Sequence, residues 1–175
     1  MRMSSALFSK MCARAEQIIT DELKLQWSSV HLQSGGSAWS DHVAVRLYLK
    51  HDASTLMLFL PCQLRMRTDR RIEFLDNKSS DWHLNPGWLC NRVHHEFGRV
   101  LGVDTCGEIY QAYQRSAVLD VDSSGFHERN TRVAQCDVLI AFSWGASGDA
   151  PTSGGTLDTW KKCTGRRILV KLETL

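Results

Sequence analysis

The stretch that decides the fold runs from residue 137 to residue 172 and reads DVLIAFSWGASGDAPTSGGTLDTWKKCTGRRILVKL. It opens with an apolar run, residues 137–144, and closes with another, residues 166–172. Between them lie a glycine-rich loop and a segment of helical composition, residues 156–165. Parallel strands need such a crossover connection, usually a helix. The stretch therefore predicts a strand, a helix and a parallel strand.

The rest of the chain repeats this alternation of apolar strands and amphipathic helices. Such an order is typical of a parallel sheet with helices on both faces, so we predict an α/β fold: a three-layer, Rossmann-like single domain over residues 1–175. One charged segment, residues 63–87, contains Asn-Pro and Pro-Gly turn signals and is predicted to be a partly irregular insertion. Helices are predicted at 4–25, 38–50, 87–102, 105–117 and 128–136, and strands at 28–33, 55–61 and 117–123.

Composition narrows the class of protein. The chain has 43% hydrophobic and 23% charged residues and a formal net charge of +2, which gives no strong signal for nucleic acid or membrane surfaces. Its apolar runs reach about eight residues, far short of the roughly 20 that span a membrane. The six cysteines form no C-x-x-C pair, so we predict no metal and no cofactor. Residues 1–17 lack the continuous apolar core of a secretory signal, so we predict reduced thiols in a cytoplasmic protein.

Three loops follow predicted strands, where ligands gather in sheets of this kind. The first reads SGGSAWSD, residues 34–41. Its glycines let the backbone approach a ligand, and the next helix offers unpaired amides. The same residues also suit a tight turn capped by Ser37 or Ser40.

The second and third loops each have two interpretations. In GFHERNTRVAQCD, residues 125–137, Arg129 is a candidate phosphate clamp and Asn130 a candidate cap or sugar ligand. The alternative is an exposed helix start with a stray charge. In SGGTLDTW, residues 153–160, Thr156 can cap a helix or donate its hydroxyl to phosphate. The alternative is a flexible loop before a helix.

The order and spacing of the three loops resemble the SLOG superfamily, the Rossmann-like group of DNA-processing protein A and the Lonely Guy proteins. In that group one strand ends in S-G-G-A-x-G-x-D, an R-N element precedes the penultimate strand, and a glycine-glycine-threonine loop follows it. The resemblance covers residues 28–172 and implies a nucleotide or related phosphoribosyl ligand. The residues it implies for the ligand site are Ser34, Gly35, Gly36, Asp41, Arg129, Asn130, Gly154, Gly155 and Thr156.

The chain departs from this pattern at the catalytic position. Lonely Guy phosphoribohydrolases continue their loop as G-T-x-x-E, with a catalytic glutamate, whereas this chain has Thr159 there and Asp158 before it. A threonine does not act as a carboxylate base near neutral pH. Asp158 is rotated by about 100° on a helix. If the protein is an enzyme, Asp158 and Glu128 are the candidate acid or base residues.

A second departure concerns the start of the pattern. The superfamily begins with a strand that ends in a phosphate loop, whereas the residues here begin with the helix that follows. Either this first strand is lacking, or another segment takes its central place, or the site is incomplete.

Other side chains remain as candidates with structural alternatives. Trp144, at a predicted strand end, can stack on a base or anchor the loop. His42 beside Asp41 can join the site or be structural. His94 and His95 point in adjacent directions on a helix, so they do not suit one metal ion.

Three functions follow. The first is a binding module that senses or sequesters a nucleotide or nucleotide-derived ligand through a phosphate-binding loop. The second is a phosphoribohydrolase-like enzyme that cleaves the N-glycosidic bond of a nucleotide. The third is single-stranded DNA binding, against which the small net charge argues. A homodimer is expected from flanking helices that pair.

Overall fold

A computed structural model describes residues 3–51, 53, 55–81, 83–145 and 148–175 of the 175-residue protein. Residue 82, in the predicted insertion, and residues 146 and 147, in the predicted loop before the last helix, lie outside the described residues.

The parallel strands form two separate ladders. In the first, β1 (His31–Ser34) pairs with β2 (Thr55–Phe59), which pairs with β5 (Val118–Asp120). In the second, β6 (Val138–Ser143) pairs with β7 (Arg166–Lys171) along its whole length. These pairings confirm the predicted α/β fold with parallel strands. A single continuous sheet is not formed by the described ladders.

The described residues contain six α-helices. They are α1 (Ser5–Gln17), α2 (Ser40–Lys50), α3 (Pro86–Leu101), α4 (Thr105–Gln114), α5 (Phe126–Val133) and α6 (Gly154–Lys162). The predicted helix over 4–25 is α1 continued by a short π-helix, Ile18–Glu22. Ser4, Asn85 and Asp104 cap α1, α3 and α4 by accepting bonds from backbone amides, as the cap residues of helices do. No helix in the described ranges is long and apolar enough to cross a membrane.

The predicted insertion is more regular than its composition indicates. It contains an antiparallel pair, β3 (Leu64–Met66) and β4 (Ile72–Phe74). The prediction of a partly irregular insertion specified no strands, because alternation over three residues is too short to be recognised. Ile72 and Phe74 are buried, so the pair belongs to the core.

Two apolar clusters make up the core. One joins α1 and α2 to β6 and β7, through Phe8, Val43 and Phe142. The other joins α2, α4 and the first ladder, through Val45, Leu58 and Ile109. Helix α2 contributes to both clusters, so its first turn is fixed between the two ladders. That turn follows the first glycine loop.

Candidate functional site

The loop between β1 and α2 is held by its own side chains. The backbone amide of Gly36 donates to Ser34 Oγ at 3.4 Å, and the amide of Ser37 donates to Asp41 Oδ2 at 3.2 Å. Gly36 has φ +64°, and a Cβ there would lie 2.3 Å from Leu60, so the turn requires glycine on two grounds. Ser34 and Asp41 therefore shape the loop rather than project freely from it.

Arg129 of α5 lies directly on this loop. Its Nη1 is 2.6 Å from Asp41 Oδ2, and the side chain is only 10% exposed. A Cβ built on Gly35 would be 1.5 Å from the same Nη1, so the guanidinium fills the space that a side chain would take. The charge of Arg129 is thus already paired with Asp41. The contact fastens α5 to the first loop.

Asn130 links α5 to α6 through a side-chain hydrogen bond. Its Nδ2 donates to Asp158 Oδ2 at 3.0 Å, and Lys162 Nζ donates to the same oxygen at 2.9 Å. His127 Nδ1 lies 3.4 Å away from it. Burial opposes ionisation of Asp158, but the bonds from Lys162 and Asn130 outweigh it, so the pKa of this carboxyl lies below its usual value. Asp158 is a stable anion turned toward α5.

Glu128, the other candidate acid or base, and Thr159 are engaged elsewhere. Glu128 Oε2 accepts a bond from the amide of Ser124 at 2.7 Å, so this carboxylate caps the start of α5. Thr159, at the position of the superfamily's glutamate, is buried, and its hydroxyl donates to the carbonyl of Gly155 at 3.0 Å. The structure brings neither side chain to Asp158.

The start of α6 differs from that of α5. Ser153 makes no capping bond with its side chain, and no acidic residue lies in the first turn. The first amides of a helix lack partners within it, and the dipole there favours an anion. Gly154 has φ +70°, which lets the chain turn into the helix without a Cβ.

A cavity of about 320 Å³ opens where this helix start faces the first loop and the end of β6. Its lining combines four hydroxyl side chains with two tryptophans and a few apolar residues. The residues are Met3, Met11, Trp39, Ser40, Phe142, Ser143, Trp144, Ser153, Thr156 and Leu172. Two of the three predicted loops thus meet at one cavity. Arg129 and Asn130, from the third, hold these loops in place.

Two of the histidines considered in the sequence, His42 and His94, are buried beside the first loop. His94 Nε2 donates to the carbonyl of Gly36 at 3.1 Å, and its Nδ1 accepts from the hydroxyl of Thr105 at 3.0 Å. His42 Nε2 donates to Glu108 at 2.7 Å. Burial lowers the pKa of His94 to about 4, with a further contribution from His42, so the ring is neutral at pH 7. Adjacent His95 is exposed.

A second cavity, of about 580 Å³, lies beyond the ends of β2 and β5. Ser123 lines it, and among the described residues its buried hydroxyl has no hydrogen-bond partner. This cavity adjoins the start of α5, which Glu128 already caps.

Two arginines of the basic run in the insertion are paired with acidic neighbours. Arg67 pairs with Asp69 and Glu73, each at 3.3 Å, and Arg71 pairs with Asp104 at 2.7 Å. Within the part of the chain that the structure describes, no group of three or more ligating side chains could hold a metal ion.

Comparison with known proteins finds one relative that covers most of the chain. The sequence is 32% identical over 161 residues to the uncharacterized protein R261 of Acanthamoeba polyphaga mimivirus, which is 91% of this chain and 80% of the viral protein. The chain belongs to the family of that viral protein. No model of a protein family matches the chain, and no solved structure matches it.

Gly35→Ala is expected to lower the free energy of unfolding by about 1–3 kcal/mol, the usual cost of overpacking. The new Cβ would meet the Arg129 guanidinium at 1.5 Å and displace it. Gly155→Ala is the matched control, because its Cβ would lie 3.5 Å from Asn130 Nδ2, an ordinary contact. Urea unfolding of both variants measures the difference. Equal stability of Gly35→Ala and the unmodified protein would show that Arg129 does not occupy this space.

Proposed function

We propose that this protein binds a nucleotide or a nucleotide-derived ligand, which it senses or sequesters, at the cavity between the first loop and the start of α6. The observation that carries the proposal is the convergence of three glycine-bearing or polar loops from distant parts of the sequence. Arg129 is paired with Asp41, and Asn130 is bonded to Asp158. These bonds hold the loops in a fixed relation before any ligand arrives.

The phosphate is expected at the start of α6. Its amides at Gly154, Gly155 and Thr156 belong to a first turn without a side-chain cap or an acid. Thr156 also lines the cavity. Since Arg129 is already paired, the helix dipole and the amides supply the positive potential. Arg129 therefore positions the first loop, and the backbone amides of α6 offset the charge of the phosphate.

We further propose that the fold is an interrupted Rossmann-like sheet of the SLOG kind. Gln33 Nε2 of β1 donates to the carbonyls of Val133 and Gln135, just before β6, at 3.0 Å each. Leu32 and Ile140, from the two ladders, pack on the same apolar cluster. The ladders are therefore neighbours, in keeping with a missing or replaced strand between them. The first described strand, β1, follows α1.

Calorimetric titration with a panel of mono-, di- and cyclic nucleotides tests the proposed function. We expect saturable binding of at least one member. Thr156→Val should weaken that binding about tenfold while folding normally, because Thr156 lines the cavity and the change removes a hydroxyl that can donate to the phosphate. Absence of binding across the panel would refute the proposal, and equal binding by Thr156→Val would remove the phosphate from α6.

A second candidate is cleavage of the N-glycosidic bond of a nucleotide. It is favoured by Asp158, a carboxylate held ionised one turn along α6 from the proposed phosphate-binding site. A carboxylate of lowered pKa is a weak general base, but it can stabilise the positive charge that develops on the sugar. Glu128 would act here only if it left its cap.

Asp158→Asn decides between the two candidates. If the protein is an enzyme, release of free base from nucleoside monophosphates falls by at least 100-fold in this variant, because the amide cannot offset the developing charge. Chromatography of the products measures the rate. Bound nucleotide with no base released by the unmodified protein would exclude hydrolysis and leave the binding module.

The homodimer, the cytoplasmic location and single-stranded DNA binding remain predictions from the sequence. Sedimentation equilibrium tests the first of these. A steep fall of DNA affinity with salt would support the last. The pairing of Arg67 and Arg71 with acidic neighbours leaves the insertion a poor electrostatic surface for DNA.

A further inference from the structure

We infer that the two tryptophans of the cavity, Trp39 and Trp144, form a seat for the planar base of the nucleotide, while the start of α6 takes its phosphate. This inference rests on the proposed function and names the part of the ligand that each wall recognises. Both rings line the same cavity and are half-buried. Its volume, about 320 Å³, lies within the range of small-molecule sites.

Trp39 is unusual in its backbone. It has φ +60° and ψ −111°, which bulky side chains rarely adopt, and such strain is of order 1–3 kcal/mol. Glycine adopts this conformation freely, whereas a tryptophan does not. A tryptophan kept there at a cost in backbone energy indicates that its ring is used.

The ring of Trp39 is supported from the core side. It packs on Phe97 of α3, with ring centroids 4.4 Å apart. Trp144 likewise packs against the first apolar cluster. Each indole is thus fixed on one side and lines the cavity on another, as rigid stacking platforms do. Bases stack on such platforms with little dependence on sequence, because each has a flat π-face.

The residues proposed to bind the phosphate and those proposed to bind the base lie on different elements around the cavity. Ser153 and Thr156 line it from α6, where the phosphate is expected, and the tryptophans line it from the first loop and the end of β6. Ser40, at the start of α2, and Ser143, at the end of β6, also line the cavity, and their hydroxyls suit the sugar. The cavity therefore fits a mononucleotide rather than a sugar phosphate without a base.

Paired titrations with AMP, GMP, CMP and UMP and with ribose 5-phosphate test the inference. Ribose 5-phosphate carries the phosphate and the sugar without a base. We expect at least one mononucleotide to bind about tenfold more tightly than ribose 5-phosphate, as one stacked base contributes, and to quench tryptophan fluorescence. Equal affinity would overturn the base seat and leave the phosphate site intact. Binding of neither would overturn the proposed function itself.

Substitution of each tryptophan tests which side chain gives mononucleotides their higher affinity. Trp39→Gly relieves the backbone strain and should fold, and Trp144→Ala provides an independent second test. Each is expected to reduce mononucleotide affinity to about that of ribose 5-phosphate, while ribose 5-phosphate binding changes less than twofold. Trp88→Ala, on an exposed indole of α3, is the control and should leave both affinities unchanged. Retention of the advantage in both cavity variants would place the base elsewhere.

Discussion

Arg129→Met is expected to lower the free energy of unfolding by about 3 kcal/mol. The guanidinium is largely buried and lies 2.6 Å from Asp41 Oδ2. Removing one partner leaves the other as an uncompensated, partly buried charge, which costs about 3–5 kcal/mol when burial is complete. Asp41 is partly exposed, so the lower end applies. Urea unfolding at pH 7 measures the change.

Two further variants identify the source of this loss. Arg67→Met removes an exposed arginine that is also paired, and it should leave the free energy of unfolding nearly unchanged, because exposed ion pairs contribute little. In a double-mutant cycle, Arg129→Met combined with Asp41→Asn should cost less than the sum of the single changes, because the two groups interact. Additive losses would contradict a coupled pair that joins α5 to the first loop.

Acidification from pH 7.5 to pH 5 is expected to cost about 2 kcal/mol through His94 alone. The pKa of this ring is about 4 in the folded protein and 6.5 in the unfolded chain. The unfolded chain therefore binds the proton more readily, so the stabilisation is complete above pH 6.5 and is lost as the pH falls toward 4. His42, whose pKa is also lowered by burial, adds to the loss.

Denaturant unfolding at half-unit steps between pH 7.5 and 5 measures this slope. His94→Gln keeps a donor for the carbonyl of Gly36 but does not titrate, so its stability should vary less with pH. His95→Gln changes the exposed neighbour and should retain the full slope. The carboxyls of lowered pKa, such as Glu108 and Asp158, titrate below this window. An unchanged slope in His94→Gln would contradict a buried, neutral His94.

Much of the fold could be predicted from the sequence because its longer strands and helices have clear patterns of apolar residues. Long apolar runs and helical periods predicted β2, β6, β7 and all six helices, since burial on both faces and amphipathic spacing leave clear patterns. The three loops were recognised for the same reason, since glycines and polar residues follow strand ends. Antiparallel β3 and β4 escaped recognition because each has only three residues.

The contacts and conformations of the individual site residues were less predictable from the sequence. Whether Arg129 is a free cation or the partner of Asp41 depends on side chains 88 positions apart. The role of His94 at the first loop likewise depends on a contact with Gly36, 58 positions away. Trp39 carries no local sign of its left-handed conformation. Sequence therefore locates the loops, and tertiary contacts decide which of their side chains face the cavity.

Chemical-shift mapping by NMR with the tightest-binding nucleotide shows directly where the ligand binds. We expect the largest changes at the amides of Gly154, Gly155 and Thr156 and at the indoles of Trp39 and Trp144. Saturation should follow the calorimetric affinity. Changes concentrated at Ser123 and the second cavity, or no saturable changes at all, would contradict a nucleotide site at the start of α6.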